Sequence, residues 1–350
     1  MELLIDSIAF GGDGVARHEG KVWFVPFTIP GEKVRVQVLS EQKKFGRAQV
    51  VEVLTPSPSR EKPLCPVYEK CGGCQYQHLS YAEELLAKTK QVEETLRRIG
   101  KIVDAPVKPI ISSPQPYGYR NRIVLHRQNG VWGFRGNNPR DLIGITQCPI
   151  ASPVVNQELE KFLKSPDQKL DHVSLRDPLI SRSGFHQANG DLAKILIDLV
   201  RDFLPEKGET LVEGYCGGGF FTEILAPRFQ SIYAIEKDER LLRDADRLKL
   251  TNVKWIHDSV EICLQEALLE SESTVVLVDP PREGLEQGIT SILNRSQVED
   301  LVYVSCNPST LARDAHALSE AFELKTVQPL DLFPRTSHIE CVTQWKRIGG

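Results

Sequence analysis

Three short segments of this 350-residue chain carry side chains able to do chemistry. They are Val278-Asp279-Pro280-Pro281-Arg282, Val304-Ser305-Cys306-Asn307-Pro308-Ser309-Thr310 and His338-Ile339-Glu340-Cys341-Val342. Each is unremarkable alone: a cysteine after an apolar strand is usually a small core residue, and a glutamate at a strand end usually meets solvent. Together they supply a nucleophile (Cys306), a base (Glu340) and a second carboxylate (Asp279). Carbon 5 of a pyrimidine such as uracil is too weak a nucleophile to attack a sulfonium methyl. A thiolate added to carbon 6 makes carbon 5 reactive, and a base must then remove the carbon-5 proton so that the thiolate can leave. Cys306 precedes a helix start, which is expected to favour thiolate. Glu340, if desolvated, should hold its proton more tightly. Asp279 suits hydrogen bonding to N3 or O4 of the ring.

A second constellation lies upstream. The strand ending at Val212 runs into Glu213-Gly214-Tyr215-Cys216-Gly217-Gly218-Gly219-Phe220. Glycines after a strand let backbone amides approach a ligand at a helix start. The next strand ends at Glu236, 19 residues past Gly217, where a carboxylate can accept from ribose hydroxyls. The spacing departs from the dinucleotide pattern G-x-G-x-x-G, and Glu213 suits an ammonium group better than a pyrophosphate. This geometry serves NAD and S-adenosylmethionine alike, with the spacing and Glu213 favouring the latter, whose expected contacts are Glu213, Tyr215, Gly217, Gly219, Glu236, Asp258 and Asp279.

Strands at Thr210–Val212, Ser231–Ile235, Val253–Ile256, Thr274–Val278 and Leu301–Val304 alternate with helices, so a parallel sheet covered on both faces is expected to position these groups. Before it, Glu2–Ala9, Lys21–Phe27, Lys33–Leu39 and Arg47–Leu54 read as short strands, fitting a small five-stranded barrel of the OB kind. Thr55-Pro56-Ser57-Pro58-Ser59 reads as a linker. Ser80 and Glu83 form a capping box for a helix ending at Gly100, with Tyr81, Leu85, Val92, Leu96 and Ile99 as its apolar stripe. The expected domains are 1–57, 58–184 and 185–350, with helix 80–100 a candidate to pack on the last.

Cys65, Cys71, Cys74 and Cys148 have the spacing C-x5-C-x2-C and a distant fourth. Four thiolates mean zinc or an iron–sulfur cluster, and spacing does not choose between them. Net charge is −4, which does not advertise nucleic-acid binding. Locally the balance differs: Pro116–Gly144 holds Arg120, Arg122, Arg127, Arg135 and Arg140 against Asp141 alone, a net of +4, with Tyr117, Tyr119, Trp132 and Phe134 interleaved. That mixture suits phosphate contact and base stacking, or equally a solvated strand pair with an aromatic inner face. No export signal and no apolar run long enough to span a bilayer are read, so a cytoplasmic monomer without membrane or protein partners is expected.

These segments resemble the RNA uridine-5-methyltransferases that carry an N-terminal TRAM domain and a [4Fe–4S] cluster. The resemblance implies a Rossmann-like class I methyltransferase domain behind a TRAM barrel (1–55, with Pro30-Gly31-Glu32) and a central cluster domain. It implies Cys306 as nucleophile, Glu340 as general base, S-adenosylmethionine as methyl donor and Cys65, Cys71, Cys74 and Cys148 as cluster ligands. Phe185-His186-Gln187-Ala188-Asn189 is similar to the segment opening the family's catalytic domain, which implies Gln187 at the cofactor and Phe185 near the target base. Structured RNA is the implied partner, ribosomal RNA ahead of transfer RNA, with Arg120, Arg122, Arg127 and Arg282 as expected contacts. Glu213 stands where the family often has Asp, and the chain is shorter than many relatives. The rivals are an RNA cytosine-5-methyltransferase and a non-catalytic RNA-binding or assembly protein of the same fold. The first often uses a second cysteine where this chain has Asp279-Pro280-Pro281-Arg282.

Overall fold

Alternating apolar and polar residues close the N-terminal strands into a barrel. The computed structural model describes all residues except 168, 180–186, 273 and 350. Strands β1 (Glu2–Ile8), β2 (Asp13–His18), β3 (Lys21–Pro26), β4 (Lys33–Glu41) and β5 (Phe45–Thr55) run in the order β1-β2-β3-β5-β4, and β1 pairs with β4 to close the ring. Leu3, Ile5, Ala16, Trp23, Val25, Val34, Val36 and Ala48 fill it. β2 is absent from the four strands read in the sequence, because its glycine-rich approach reads as a turn. Residues 55–59 are no free linker either. The buried Glu32 carboxylate accepts from the Ser57 amide (3.1 Å), the Ile29 amide (2.9 Å) and the Arg60 guanidinium (2.6 and 2.7 Å).

Helix α1 (Tyr81–Arg98) begins at Ser80, whose hydroxyl accepts from the Glu83 amide. Of the expected stripe Val92 and Leu96 are buried and Tyr81 and Leu85 half-buried, but Ile99 is exposed, and Glu84 and Lys88, paired at 2.8 Å, are fully buried beside them. Strands β6 (Arg122–Gln128), β7 (Val131–Arg135) and β8 (Leu142–Gly144), helix α2 (Pro153–Lys164) and strand β9 (His172–Arg176) follow. The strands form an antiparallel sheet of order β8-β7-β6-β9. Ser152 caps α2, and Val155 and Leu159 pack on Ile123, Leu125 and Trp132 from one face of the sheet. Trp132 and Tyr119 are therefore core residues: Trp132 meets Phe162 edge-on at 4.9 Å.

The remaining elements are α3 (Gly190–Phe203), β10 (Gly208–Gly214), α4 (Thr222–Leu225), β11 (Phe229–Glu236), α5 (Glu239–Ala245), β12 (Val253–His257), α6 (Val260–Ser271), β13 (Val275–Val278), α7 (Ile289–Arg295), β14 (Asp300–Ser305), α8 (Pro308–Leu318), β15 (Phe322–Leu330) and β16 (Glu340–Arg347). They build a seven-stranded sheet of order β12-β11-β10-β13-β14-β16-β15. Six of the seven strands run in one direction, and β16 runs antiparallel to its neighbours β14 and β15. The order reverses between β10 and β13, where open α/β sheets hold their ligands. The chain divides into two compact units: Met1–Gln91 with Ser113–Asp177 and Phe333–His338, and Val92–Ser112 with Pro178–Leu332 and Ile339–Gly350. Among the described residues no helix is long and apolar enough to cross a membrane.

Candidate active site

The cofactor loop is built by backbone that few sequences tolerate. Tyr215, Gly217 and Gly219 all have positive φ, +62°, +57° and +83°. A Cβ on Gly219 would come within 2.7 Å of Leu248 and 3.0 Å of Trp255, so only glycine fits there. A Cβ on Gly217 would meet nothing within 4 Å, which leaves that side open for a ligand. Glu236 closes the loop: one oxygen accepts from the Gly217 amide (3.0 Å), the other from the Asp238 amide (2.8 Å). Tyr215 donates to Glu286 (3.1 Å), a partner no local sequence signal indicates. Asp258 is exposed just beyond β12. Gln187 is buried before α3, and Phe185 lies outside the described residues.

Glu213 is buried and accepts from the Thr222 hydroxyl at 2.7 Å. Burial pushes its carboxyl up to about 8, with the nearby Asp279 adding to the rise. Asp279 follows β13, four wholly buried residues, and desolvation pushes it up to about 7.

Cys306 leaves β14 and Asn307 caps α8, its side-chain oxygen accepting from the Ser309 amide at 3.0 Å. Glu340 opens β16 and is 5% exposed. Burial raises Glu340 well above the usual carboxylate range; Asp279 reinforces this and Arg282 opposes it. The expectation that the helix start would favour a Cys306 thiolate does not hold. Burial pushes this thiol up to about 12, with Glu340 and Asp279 adding to the rise and Arg282 lowering it. Desolvation beside two carboxyls outweighs a helix terminus. Cys306, Glu340, Asp279 and Arg282 are thus brought within electrostatic reach of one another.

The Arg282 loop is tied to the cysteine's helix. Its carbonyl accepts from Asn307 (3.0 Å) and Thr310 (3.1 Å). Buried Asp314 accepts from the Leu285 amide (2.9 Å) and the Tyr303 hydroxyl (2.8 Å), and Arg313 donates to the Glu283 and Leu285 carbonyls.

Residues 179–348 match the model of the tRNA (uracil-5-)-methyltransferases and residues 1–51 that of the TRAM domain. An RNA methyltransferase of uncharacterised specificity from Bdellovibrio bacteriovorus is 32% identical over 375 residues, covering 98% of this chain and 94% of its own. The chain belongs to this methyltransferase family. A similarly uncharacterised RNA methyltransferase of Bacillus cereus is 27% identical, covering 99% and 97%. The crystal structure of the Pyrococcus abyssi tRNA (uracil-54, C5)-methyltransferase in complex with S-adenosyl-L-homocysteine shares the fold, with a TM-score of 0.73 at 24% identity over 99% of this chain and 100% of that one.

In this methyltransferase the four cysteines Cys65, Cys71, Cys74 and Cys148 line one cavity of about 310 Å³. Burial pushes the Cys74 thiol up to about 12 and raises Cys71 and Cys148, and each of the three is raised further by neighbouring cysteines of the set. Among the described residues no three His, Cys, Asp or Glu side chains are arranged to hold a metal ion. The four cysteines of that cavity are all free thiols. The arginines divide between faces. Arg122 is exposed on β6, whereas strand alternation puts Arg127 with Ile123 and Leu125 on the side that packs on α2. Tyr117 stacks on the buried Arg335 at 4.9 Å, so it is engaged within the protein.

Proposed function

We propose that this enzyme transfers a methyl group from S-adenosylmethionine to carbon 5 of a uridine in structured RNA. The observation that carries this is Cys306 held among Asp279, Glu340 and Arg282 at the carboxyl edge of the sheet. Glu213 takes the cofactor's ammonium, Glu236 its ribose, and the open side of Gly217 its close approach; Tyr215, Gly219, Gln187 and Asp258 complete that pocket. The target base leaves its stack to enter. Cys306 gives its proton to solvent as its sulfur bonds to carbon 6, and the sulfur regains one from solvent when it later leaves. Carbon 5 then attacks the sulfonium methyl, releasing S-adenosylhomocysteine. Glu340 takes the carbon-5 proton, the sulfur–carbon bond breaks, and the double bond returns. Asp279 holds the ring edge. The sulfonium's positive charge favours the carboxylate form of Glu340 and Asp279 when the cofactor is bound, so the donor itself readies the base.

A Glu340→Gln enzyme stops before elimination and accumulates an RNA–protein adduct that survives denaturing gels. Loss of activity with no adduct gives Glu340 another role. A Cys306→Ala protein that sustains cells as well as the natural one would favour a non-catalytic assembly role instead. Ribosomal RNA is the first substrate to test, transfer RNA the second. Mapping 5-methyluridine in total RNA from cells lacking the gene separates them, and nucleoside analysis separates uridine from cytidine.

Cys65, Cys71, Cys74 and Cys148 would hold a [4Fe–4S] cluster that keeps the central sheet in shape, since methyl transfer moves no net electrons. Iron and sulfide content after anaerobic purification tests this, with zinc as the competing result.

A further inference from the structure

Glu340 follows a segment that its own sheet does not hold. Leu330 at the end of β15 pairs directly with Glu340 at the start of β16, and the residues between them leave the sheet. On the other side the ladder with β14 ends at Cys341, opposite Ser305, one residue short of Glu340. Phe333–His338 instead belong to the compact unit of Met1–Gln91. Arg335 is the centre of that attachment. Its carbonyl accepts from the Gln75 and Tyr76 amides (2.9 and 3.0 Å), and its amide donates to the Glu84 carboxylate (2.8 Å). Its guanidinium donates to the Leu79 carbonyl (2.7 Å), lies 3.5 Å from the other Glu84 oxygen and rests over the Tyr81 and Tyr117 rings. The flanking residues are held too. Lys88 donates to the Phe333 carbonyl (3.3 Å), Tyr119 to that of Pro334 (3.0 Å), and the Ser337 amide to the Gln75 side chain (2.9 Å).

Stability alone does not account for this arrangement. Glu84, Lys88 and Arg335 are buried together, two cations around one carboxylate. Taking such charges out of water offsets much of their attraction, and apolar residues of similar volume often serve a fold equally well. Arg335 also has φ +67°, a left-handed conformation that is strained for a residue with a long side chain and that clusters at functional sites. Buried charge is useful where a chain must be held in one register. We infer that Arg335, seated on Glu84, is a positioning residue: it fixes the loop that leads into Glu340 and so sets that carboxylate for removal of the carbon-5 proton. Ile339 alone separates the held segment from Glu340, and proton transfer is sensitive to displacements of about 1 Å. In that step the bond from carbon 5 to hydrogen breaks and Glu340 takes the proton. The freed electron pair restores the 5,6 double bond as the sulfur–carbon bond breaks. The inference rests on the reading of Glu340 as base and Cys306 as nucleophile.

The test follows two labels in one single-turnover reaction: the methyl group leaving S-adenosylmethionine, and tritium released to water from carbon 5 of uridine. The substrate is ribosomal and transfer RNA from cells lacking the gene, tritiated at that carbon. In the natural chain both labels move together. Arg335→Met leaves the Glu84–Lys88 pair in place. It should keep methyl transfer within about threefold, slow tritium release by roughly tenfold or more, and accumulate RNA–protein adduct. Arg335→Lys keeps the charge without the planar fork and should recover part of the loss. Tyr119→Phe removes one anchor only; its tritium release should lag by about threefold, and it carries the test if Arg335→Met does not fold. On a Glu340→Gln background Arg335→Met should slow tritium release no further, because both changes act through one carboxylate. Additive slowing there, or methyl transfer and tritium release falling by the same factor, makes Arg335 a structural residue only and overturns the inference. Unchanged rates in folded Arg335→Met overturn it as well. A Glu340→Gln enzyme that releases tritium in step with methyl transfer overturns the reading of the base, and the inference with it.

Discussion

Thr222 donates its hydroxyl proton to Glu213 over 2.7 Å inside the protein, beneath the open loop at Gly217. Glu213 is held up to about 8, so in the free enzyme it is mostly protonated at pH 7. A bound ammonium reverses that preference. S-adenosylmethionine should therefore bind with release of a proton, and its affinity should rise as pH climbs toward about 8. Calorimetry in buffers of different ionisation enthalpy measures both. Thr222→Val removes a hydrogen bond to the charged form and should cost about fivefold in affinity at pH 7. The free protein behaves oppositely. The unfolded chain releases this proton near the ordinary 4.5 while the folded one keeps it to about 8, so this group's contribution to stability falls across that window and is level above it.

Cys306→Ala should reduce methyl transfer by roughly three orders of magnitude or more while leaving cofactor affinity within about twofold, because the thiol serves the base and not the donor. Single-turnover transfer of labelled methyl groups, beside equilibrium dialysis of the cofactor, checks this. Equal loss of both would make Cys306 a packing residue.

Gly284→Ala should damage the site from a distance. Gly284 has φ +78°, and a Cβ there would come within 2.6 Å of Asp314 Oδ2 and 2.7 Å of the Arg313 guanidinium. Both atoms belong to the network that ties the Arg282 loop to α8. A loss of about 2 kcal/mol is expected, read from the denaturation midpoint. Activity should fall further than that loss of folded protein explains, since Arg282 shifts relative to Cys306.

Glu32→Gln should loosen the barrel's exit. Burial alone would raise Glu32, but hydrogen bonds from Arg60 and two backbone amides outweigh it and hold the carboxyl below its ordinary range. Its stabilising effect is present above the unfolded-chain value and is lost as pH falls through the lowered one. With Arg60 23% exposed, solvent screens part of the attraction, and about 2 kcal/mol is expected at pH 7. Unfolding of the variant should depend less steeply on acid than that of the natural chain. Equal acid dependence would show that Glu32 is not held charged.

The proposed catalytic groups stand out in the sequence because they sit at strand ends, Asp279 and Cys306 just after apolar runs and Glu340 just before one. The barrel and the parallel strands were legible for the same reason, since period-two and buried-strand patterns are local. α1 was legible as a helix but not in its packing, because a fully buried Glu84–Lys88 pair looks in sequence like a solvated face.

The sequence by itself determined the candidate reactive groups, their order along the chain and the alternation of strand and helix, all properties of neighbouring residues. Only the tertiary structure decided their protonation. Burial, with Glu340 and Asp279 adding to it, raises the Cys306 thiol, which a helix start alone would not foretell. Strand pairing likewise sets Arg176 opposite Arg122, residues 54 positions apart. Desolvation and charge proximity are three-dimensional quantities, and no local pattern encodes them.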